Sequence, residues 1–140
     1  PESARLVGTI RTLKPETRTL AKDRFFEIVN QTAHAHGCRA EINYMEGYPV
    51  TANDADETER FFSIATKALG PGHIQRLETP TMGGEDFAYY GRHVPACFFF
   101  LGLRPASVNR YPALHQPDFD FNDDAIATGV EMMCRMAISE

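Results

Sequence analysis

His115 stands in "YPALHQPDFDF", between Pro112 and Pro117 and ahead of Asp118 and Asp120. An imidazole in a proline-stiffened, acid-rich loop can ligate a metal, with a carboxylate holding its second ring nitrogen. A catalytic zinc needs three protein ligands, however, and one histidine is a weak signal. A loop histidine hydrogen-bonded to Asp118 or Asp120 accounts for the same residues. A second constellation is "MGGEDF". Gly83 and Gly84 before a short helix leave bare N–H groups that suit a carboxylate or phosphate, while a tight turn with Glu85 and Asp86 at a helix N-terminus needs no ligand. Arg11 is the third. Its guanidinium offers a two-pronged grip on a carboxylate, or it lies on a solvated sheet face. On pattern alone the structural reading is the plainer one for each of the three.

Other candidates fall away. His34 and His36 are two apart on a predicted helix, about 200° around its axis, and cannot chelate one metal from one face. His73 and His93 are isolated. No Ser-His-Asp spacing, phosphate loop or dinucleotide glycine motif is present. Cys38, Cys97 and Cys134 are odd in number and far apart, which fits neither a zinc knuckle nor a disulfide framework and points to a reducing, cytoplasmic compartment. Cys97 and Cys134 sit in apolar contexts and read as inert core thiols.

The elements that must position these residues follow from periodicity. "ARLVGTIRTL" alternates and predicts a strand ended by Lys14 and Pro15. A helix is predicted over about 16–36, with Ala21, Phe25, Ile28 and Thr32 on one stripe flanked by Val29, and Gly37 just past its end. "RAEINYMEG" predicts a second strand, closed by Pro49. Asn53 or Asp54 can cap the next helix, which runs to about Leu69 on a stripe of Phe61, Ala65 and Ala68 before "GPG". "HIQRLET" reads as a short strand and "ACFFFLGL" as a buried one. The last helix is capped by Asn122, with Ile126, Val130 and Met133 as its core face. The fold class is α/β, in the order β-α-β, then α-β-α-β-loop-α, with a boundary at about 48–53. A two-stranded piece of about 45 residues is too small to bury both faces of a sheet.

The composition is that of a soluble globular protein: 140 residues, 43% hydrophobic, net charge −5. The absence of basic clusters argues against a nucleic-acid partner, and no apolar run of 18 residues suggests a membrane span.

Taken in order, "VGTIRTL", "GYPVTAND", "MGGEDFAYY", "VPACFFFLG" and "LHQPDFDFNDDAI" resemble the C-terminal part of the metal-dependent amidohydrolases of the aminoacylase and carboxypeptidase superfamily. The resemblance covers essentially the whole chain and is to the branch with hippurate hydrolase and the indole-acetyl-amino-acid hydrolases. It implies a β-α-β half of a ferredoxin-like lid, or dimerisation, domain at residues 1–52. The C-terminal α/β part of a di-metal peptidase-like catalytic domain would follow at 53–140. It implies hydrolysis of the amide bond of N-acyl amino acids, with two divalent metals (zinc, manganese or cobalt) in the intact site and a glutamate as general base. His115 matches the family's C-terminal metal-ligand histidine. Arg11 matches the lid arginine that grips the substrate carboxylate, and Gly83 and Gly84 the turn whose backbone faces that carboxylate. Asn53 also stands in a family motif, although capping explains it.

The family's other ligands (a cysteine-histidine pair, a glutamate and a further histidine) and its general base have no counterpart among these residues. No catalytic residue is therefore assigned. The chain is expected to be a C-terminal piece, metal-free or weakly metal-bound and inactive in isolation. It is also expected to form homo-oligomers through the lid segment. The alternative is a non-catalytic dimerisation or binding module, or a fragment kept soluble by domain swapping.

Overall fold

A computed structural model describes residues 1–139. The described residues form three α-helices: α1 (Pro15–Ala35), α2 (Ala55–Leu69) and α3 (Asp124–Ile138). Two short 3-10 turns lie at Pro71–His73 and Asp86–Arg92. The chain divides into two compact units. One comprises Pro1–Ala52 with Glu78–Val94, the other Asn53–Leu77 with Pro95–Glu140.

In the first unit α1 starts at Pro15, whose fixed φ suits the first helical position. Its end is a full Schellman closure: the Cys38 N–H reaches Ala33 O at 2.8 Å and the Gly37 N–H reaches His34 O at 3.0 Å. Gly37 takes the left-handed backbone (φ +67°) that this closure needs. The inward face of α1 is rotated from the one expected. Arg18, Ala21, Lys22, Phe26, Val29 and Ala33 are half-buried, whereas Phe25, Ile28 and Thr32 are exposed. The cause lies in residues 39–48, which run against α1. Tyr44 packs on Phe26 (ring centroids 5.9 Å) under the Lys22 ammonium, and Glu46 pairs with Arg18 and Lys22. Long side chains thus cover the helix with their apolar stems while their charges stay wet.

In the second unit α2 begins at Asp54, whose side chain accepts from the Glu57 N–H at 3.0 Å. Ala65 is buried and Phe61 stacks on Phe99 with centroids 4.5 Å apart, so the expected α2 face is the one used. The face of α3 is not. Met132 is 2% exposed, and Ala125, Thr128, Gly129 and Met136 share its side, while Ile126, Val130 and Met133 are all at least half exposed. Gly129 explains the rotation: a Cβ there would stand 3.2 Å from Leu101 Cδ2, so the helix approaches through its smallest residue. Arg60 of α2 ties off the end of α3, donating to Met136 O (2.7 Å) and to Ser139 O. Those carbonyls would otherwise be orphans of the helix terminus.

The α/β expectation needs correction at the level of the sheet: no strand forms among the described residues. Residues 39–45 do alternate, with Ala40, Ile42 and Tyr44 half-buried and their neighbours exposed, but the segment carries no ladder. Residues 5–10 are exposed throughout. The "ACFFFLGL" segment is half-buried rather than buried, and Phe100 is exposed. Its backbone is satisfied by other means. Ala96 O accepts from the Asp54 N–H (2.9 Å), and the Asn53 side chain takes both polar groups of the Phe98 peptide. A period-2 pattern records which side chains turn inward; a ladder needs a partner backbone as well. The thiols also differ from expectation. Cys134 is exposed, as is Cys38, and only Cys97 is partly covered.

Candidate functional site

Arg11 and the glycine turn meet in the first unit. Arg11 Nη1 donates to Met82 O at 2.8 Å, which fixes the guanidinium beside the residue preceding Gly83. A Cβ placed on Gly84 would stand 3.6 Å from that nitrogen and 3.5 Å from Tyr48 Cδ2. The arginine, the turn and the Tyr48 ring therefore share one small region, where a Cβ on Gly84 would make ordinary contacts with both side chains. Gly83 has open space where a side chain would be. Among the described residues no carboxylate pairs with Arg11. Its charge is anchored through one N–H to a neutral carbonyl on an exposed residue, an arrangement in which a guanidinium can receive an anion.

Sequence reasoning missed the residues that build this region from the other side. Arg18 of α1 donates to Tyr48 O (3.0 Å) and Gly47 O (2.9 Å) and pairs with Glu46 at 2.9 Å. Lys22, one turn on, hydrogen-bonds the other Glu46 oxygen at 2.6 Å. That bond holds the Glu46 carboxyl below its ordinary pKa and the Lys22 ammonium above its own. Tyr48 in turn meets Tyr89 edge-to-face, centroids 6.1 Å apart. The signal available in the sequence was Arg18 and Lys22 at one-turn spacing, the register of a helix face that can grip a neighbouring loop.

His115 belongs to the second unit, in a loop closed at its base by Tyr111 Oη donating to Asp120 O at 2.7 Å. Residues 113–116 form a turn in which the Gln116 N–H reaches Ala113 O (3.2 Å) and the Gln116 side chain accepts from the Ala113 N–H (3.1 Å). His115 holds φ +68° at its third position, as in a type II turn, where glycine is the usual residue. An exposed histidine held in a sparsely populated backbone region marks a functional candidate. The expected hydrogen bond to Asp118 or Asp120 is not made among the described residues, so the plain explanation for this histidine loses its partner. The donors present do not amount to a metal site on their own. Among the described residues no group of three or more His, Cys, Asp or Glu side chains could hold an ion. His115 is one donor, and a metal ion needs more.

Asn53 is a further correction. Asp54 is the helix cap, and Asn53 instead donates from Nδ2 to Phe98 O (2.8 Å) while its Oδ1 accepts from the Phe98 N–H (2.8 Å). Its amide imitates a strand's peptide. Beside it the Cys97 thiol is pushed up from its ordinary pKa, chiefly by burial. That shift works against thiolate formation, in keeping with a packing role for Cys97.

Comparison with known proteins gives these features a context. Residues 2–139 match the family described as "Peptidase family M20/M25/M40". An N-acetyldiaminopimelate deacetylase of Anoxybacillus flavithermus is 34% identical over 134 residues, covering 96% of this chain and 34% of that protein. Thermostable carboxypeptidase 2 of Saccharolobus solfataricus is 30% identical (99% and 34%), and IAA-amino acid hydrolase ILR1-like 6 of Arabidopsis thaliana 28% identical (98% and 30%). The chain spans about a third of the length of the curated relatives it matches. With a match that runs from one end of the chain to the other, this protein belongs to the M20/M25/M40 peptidase family of hydrolases and amidohydrolases.

Proposed function

We propose that this chain is part of a metal-dependent amidohydrolase that cleaves the amide bond of N-acyl amino acids, hippurate-like or auxin-conjugate-like. Arg11, with the backbone of Gly83 and Gly84, receives the free carboxylate of the substrate, and His115 contributes one metal ligand. Residues 1–52 would belong to a lid and 53–140 to the catalytic domain. Enzymes of this family are generally metal-dependent; zinc, manganese and cobalt all suit imidazole and carboxylate donors. The observation that carries this reading is the Arg11 guanidinium, oriented by Met82 O beside the glycine turn and unmatched by any carboxylate among the described residues. The names of the relatives support it. An amino acid hydrolase, an N-acetyl deacetylase and a carboxypeptidase are names for cutting an amide near an amino-acid carboxylate. The thiols are all free, the state a reducing cytoplasm maintains. No helix is long and apolar enough to cross a membrane.

The test is an Arg11→Ala substitution in the full-length enzyme. Losing a charge-assisted contact costs about 1.5–3 kcal/mol, which is roughly a 10- to 100-fold rise in KM. The rise is expected for N-acyl amino acids and absent for the corresponding N-acyl amino acid amides, which lack the carboxylate. Equal KM values for the variant and the wild type on the free acids would remove Arg11 from the site.

One observation favours a second role, homo-oligomerisation through the first unit: Leu6 and Val7 are almost fully exposed. A protein that light scattering shows to be monomeric at all concentrations would count against it.

A further inference from the structure

Tyr48 and Arg11 both lie close to Gly84. The position of a Gly84 Cβ is 3.5 Å from its ring and 3.6 Å from the Arg11 nitrogen. The ring is aimed by a chain of fixed contacts. Glu46 holds Arg18 and Lys22, Arg18 holds the carbonyls of Gly47 and Tyr48, and Pro49 restricts the backbone that follows. Yet what this scaffold presents is not buried. Tyr48 is 52% exposed and its edge-to-face neighbour Tyr89 is 46% exposed. A core pair would hide its rings. A pinned, half-exposed aromatic pair beside an unmatched guanidinium has the composition of a recognition surface: an anion contact next to rigid apolar area.

We propose that Tyr48 and Tyr89 form an aromatic wall that reads the side chain of the amino acid whose carboxylate Arg11 holds, favouring aromatic and branched aliphatic residues over glycine. The proposal rests on the assignment of the carboxylate to Arg11 made above. In an α-amino acid the side chain and the carboxylate leave the same carbon. A carboxylate held by Arg11 therefore brings the side chain into the neighbourhood of Gly84, which the Tyr48 ring shares. A bulky side chain at 84 would crowd the cation and the ring alike. Arg18 is a positioning residue, acting through the Tyr48 backbone.

The experiment compares kcat/KM for N-acetyl-phenylalanine and N-acetyl-glycine in the full-length, metal-supplemented enzyme and its Tyr48→Ala, Tyr48→Phe and Tyr89→Ala variants. Side-chain discrimination by an apolar pocket is worth roughly 10- to 200-fold. The phenylalanine-to-glycine ratio is expected to fall about tenfold or more in Tyr48→Ala, less in Tyr89→Ala, and to survive in Tyr48→Phe, which keeps the ring. A ratio unmoved by Tyr48→Ala, or one lost equally in Tyr48→Phe, overturns the wall and leaves the Arg11 reading standing. Activity falling by one factor on both substrates also overturns it, because damage to the fold does not discriminate between side chains. If the wild-type enzyme turns over neither substrate, nor any other N-acyl amino acid, the function proposed above fails and the wall with it.

Discussion

Asn53→Ala removes a two-point contact that carries more than its exposed position suggests. The Asn53 amide makes two hydrogen bonds to one peptide, each 2.8 Å long, and both ends of the contact are short and paired in register. A net hydrogen bond contributes about 1 kcal/mol. Asn53 is exposed and Phe98 only half-buried, so water recovers part of the loss, and about 1–2 kcal/mol remains. That corresponds to roughly 5- to 30-fold in a local opening equilibrium. Amide hydrogen exchange reads it directly, as faster exchange at the Phe98 N–H, with the amides in the middle of α1 as an internal reference. Asn53→Asp refines the test. The carboxylate still accepts from the Phe98 N–H but sets an anionic oxygen against the Phe98 carbonyl. Its exchange is expected to match alanine at neutral pH and to slow below about pH 4, where the protonated acid can donate again. Phe98 exchange at the wild-type rate in Asn53→Ala would refute the contact. An Asp variant whose Phe98 exchange rate, taken relative to wild type at the same pH, is unchanged below about pH 4 would refute the donor role of Nδ2.

Three further outcomes follow from the same kind of reasoning. Asp54→Ala removes the α2 cap on the Glu57 N–H and is expected to cost about 1 kcal/mol in urea unfolding, with the m-value unchanged. Gly37→Ala forces a Cβ into φ +67° with open space around it, so the penalty is backbone strain alone, about 1 kcal/mol, and Gly37→Asn should lose less. The Glu46 carboxyl is lowered in pKa by its hydrogen bond to Lys22, so its stabilisation is present above the ordinary carboxylate range and fades as pH falls through its lowered value. Lys22 is raised by the same bond, so its share is present below the ordinary lysine value and fades as pH rises through the raised one. Glu46 is exposed and Lys22 only half-buried, so solvent screens the pair and the effect is small. Thermal unfolding against pH should nonetheless show a flatter acid limb in Glu46→Gln than in wild type.

What could be read from the sequence divides by the range of the interaction. The limits of α1 and α2 were legible to within a residue or so because local chemistry sets them: Pro15, expected to end a strand, takes the first helical position; Asp54, one of two expected caps, is the one used; and Gly37 and Gly70 stand at the ends with positive φ. The α2 face was legible because three apolar residues fall on one stripe without competition. The faces of α1 and α3 were misjudged because the inward side was equated with the most apolar one. On α1, Arg18 and Lys22 win through their partners in Glu46 and the 47–48 carbonyls; on α3, Gly129 wins by being small. Neither a long-range ion pair nor a close approach leaves a periodic trace. The strands failed for a related reason, since alternation at 39–45 specifies facing but not the partner that would complete a ladder.

The candidate site shows the same division. Asn53 and Asp54 are adjacent polar residues ahead of one helix, and a helix needs a single cap. That surplus was the sequence-level sign that one of them has another task, and the task is to pair with Phe98 forty-five residues away. Arg11 and Gly84 were legible as separate motifs, each with a plain explanation. Their juxtaposition weakens both explanations at once. The Arg11 guanidinium is anchored seventy-one residues away on the carbonyl of Met82, and it and the Tyr48 ring both border the space beside Gly84. His115 is the converse case. Its loop supplies neither the carboxylate bond that would make it an ordinary histidine nor the further donors that would make it a metal site, yet it holds a backbone conformation better suited to glycine. The ligand role proposed for it rests on the motif, and the left-handed backbone is a feature that the motif alone did not announce.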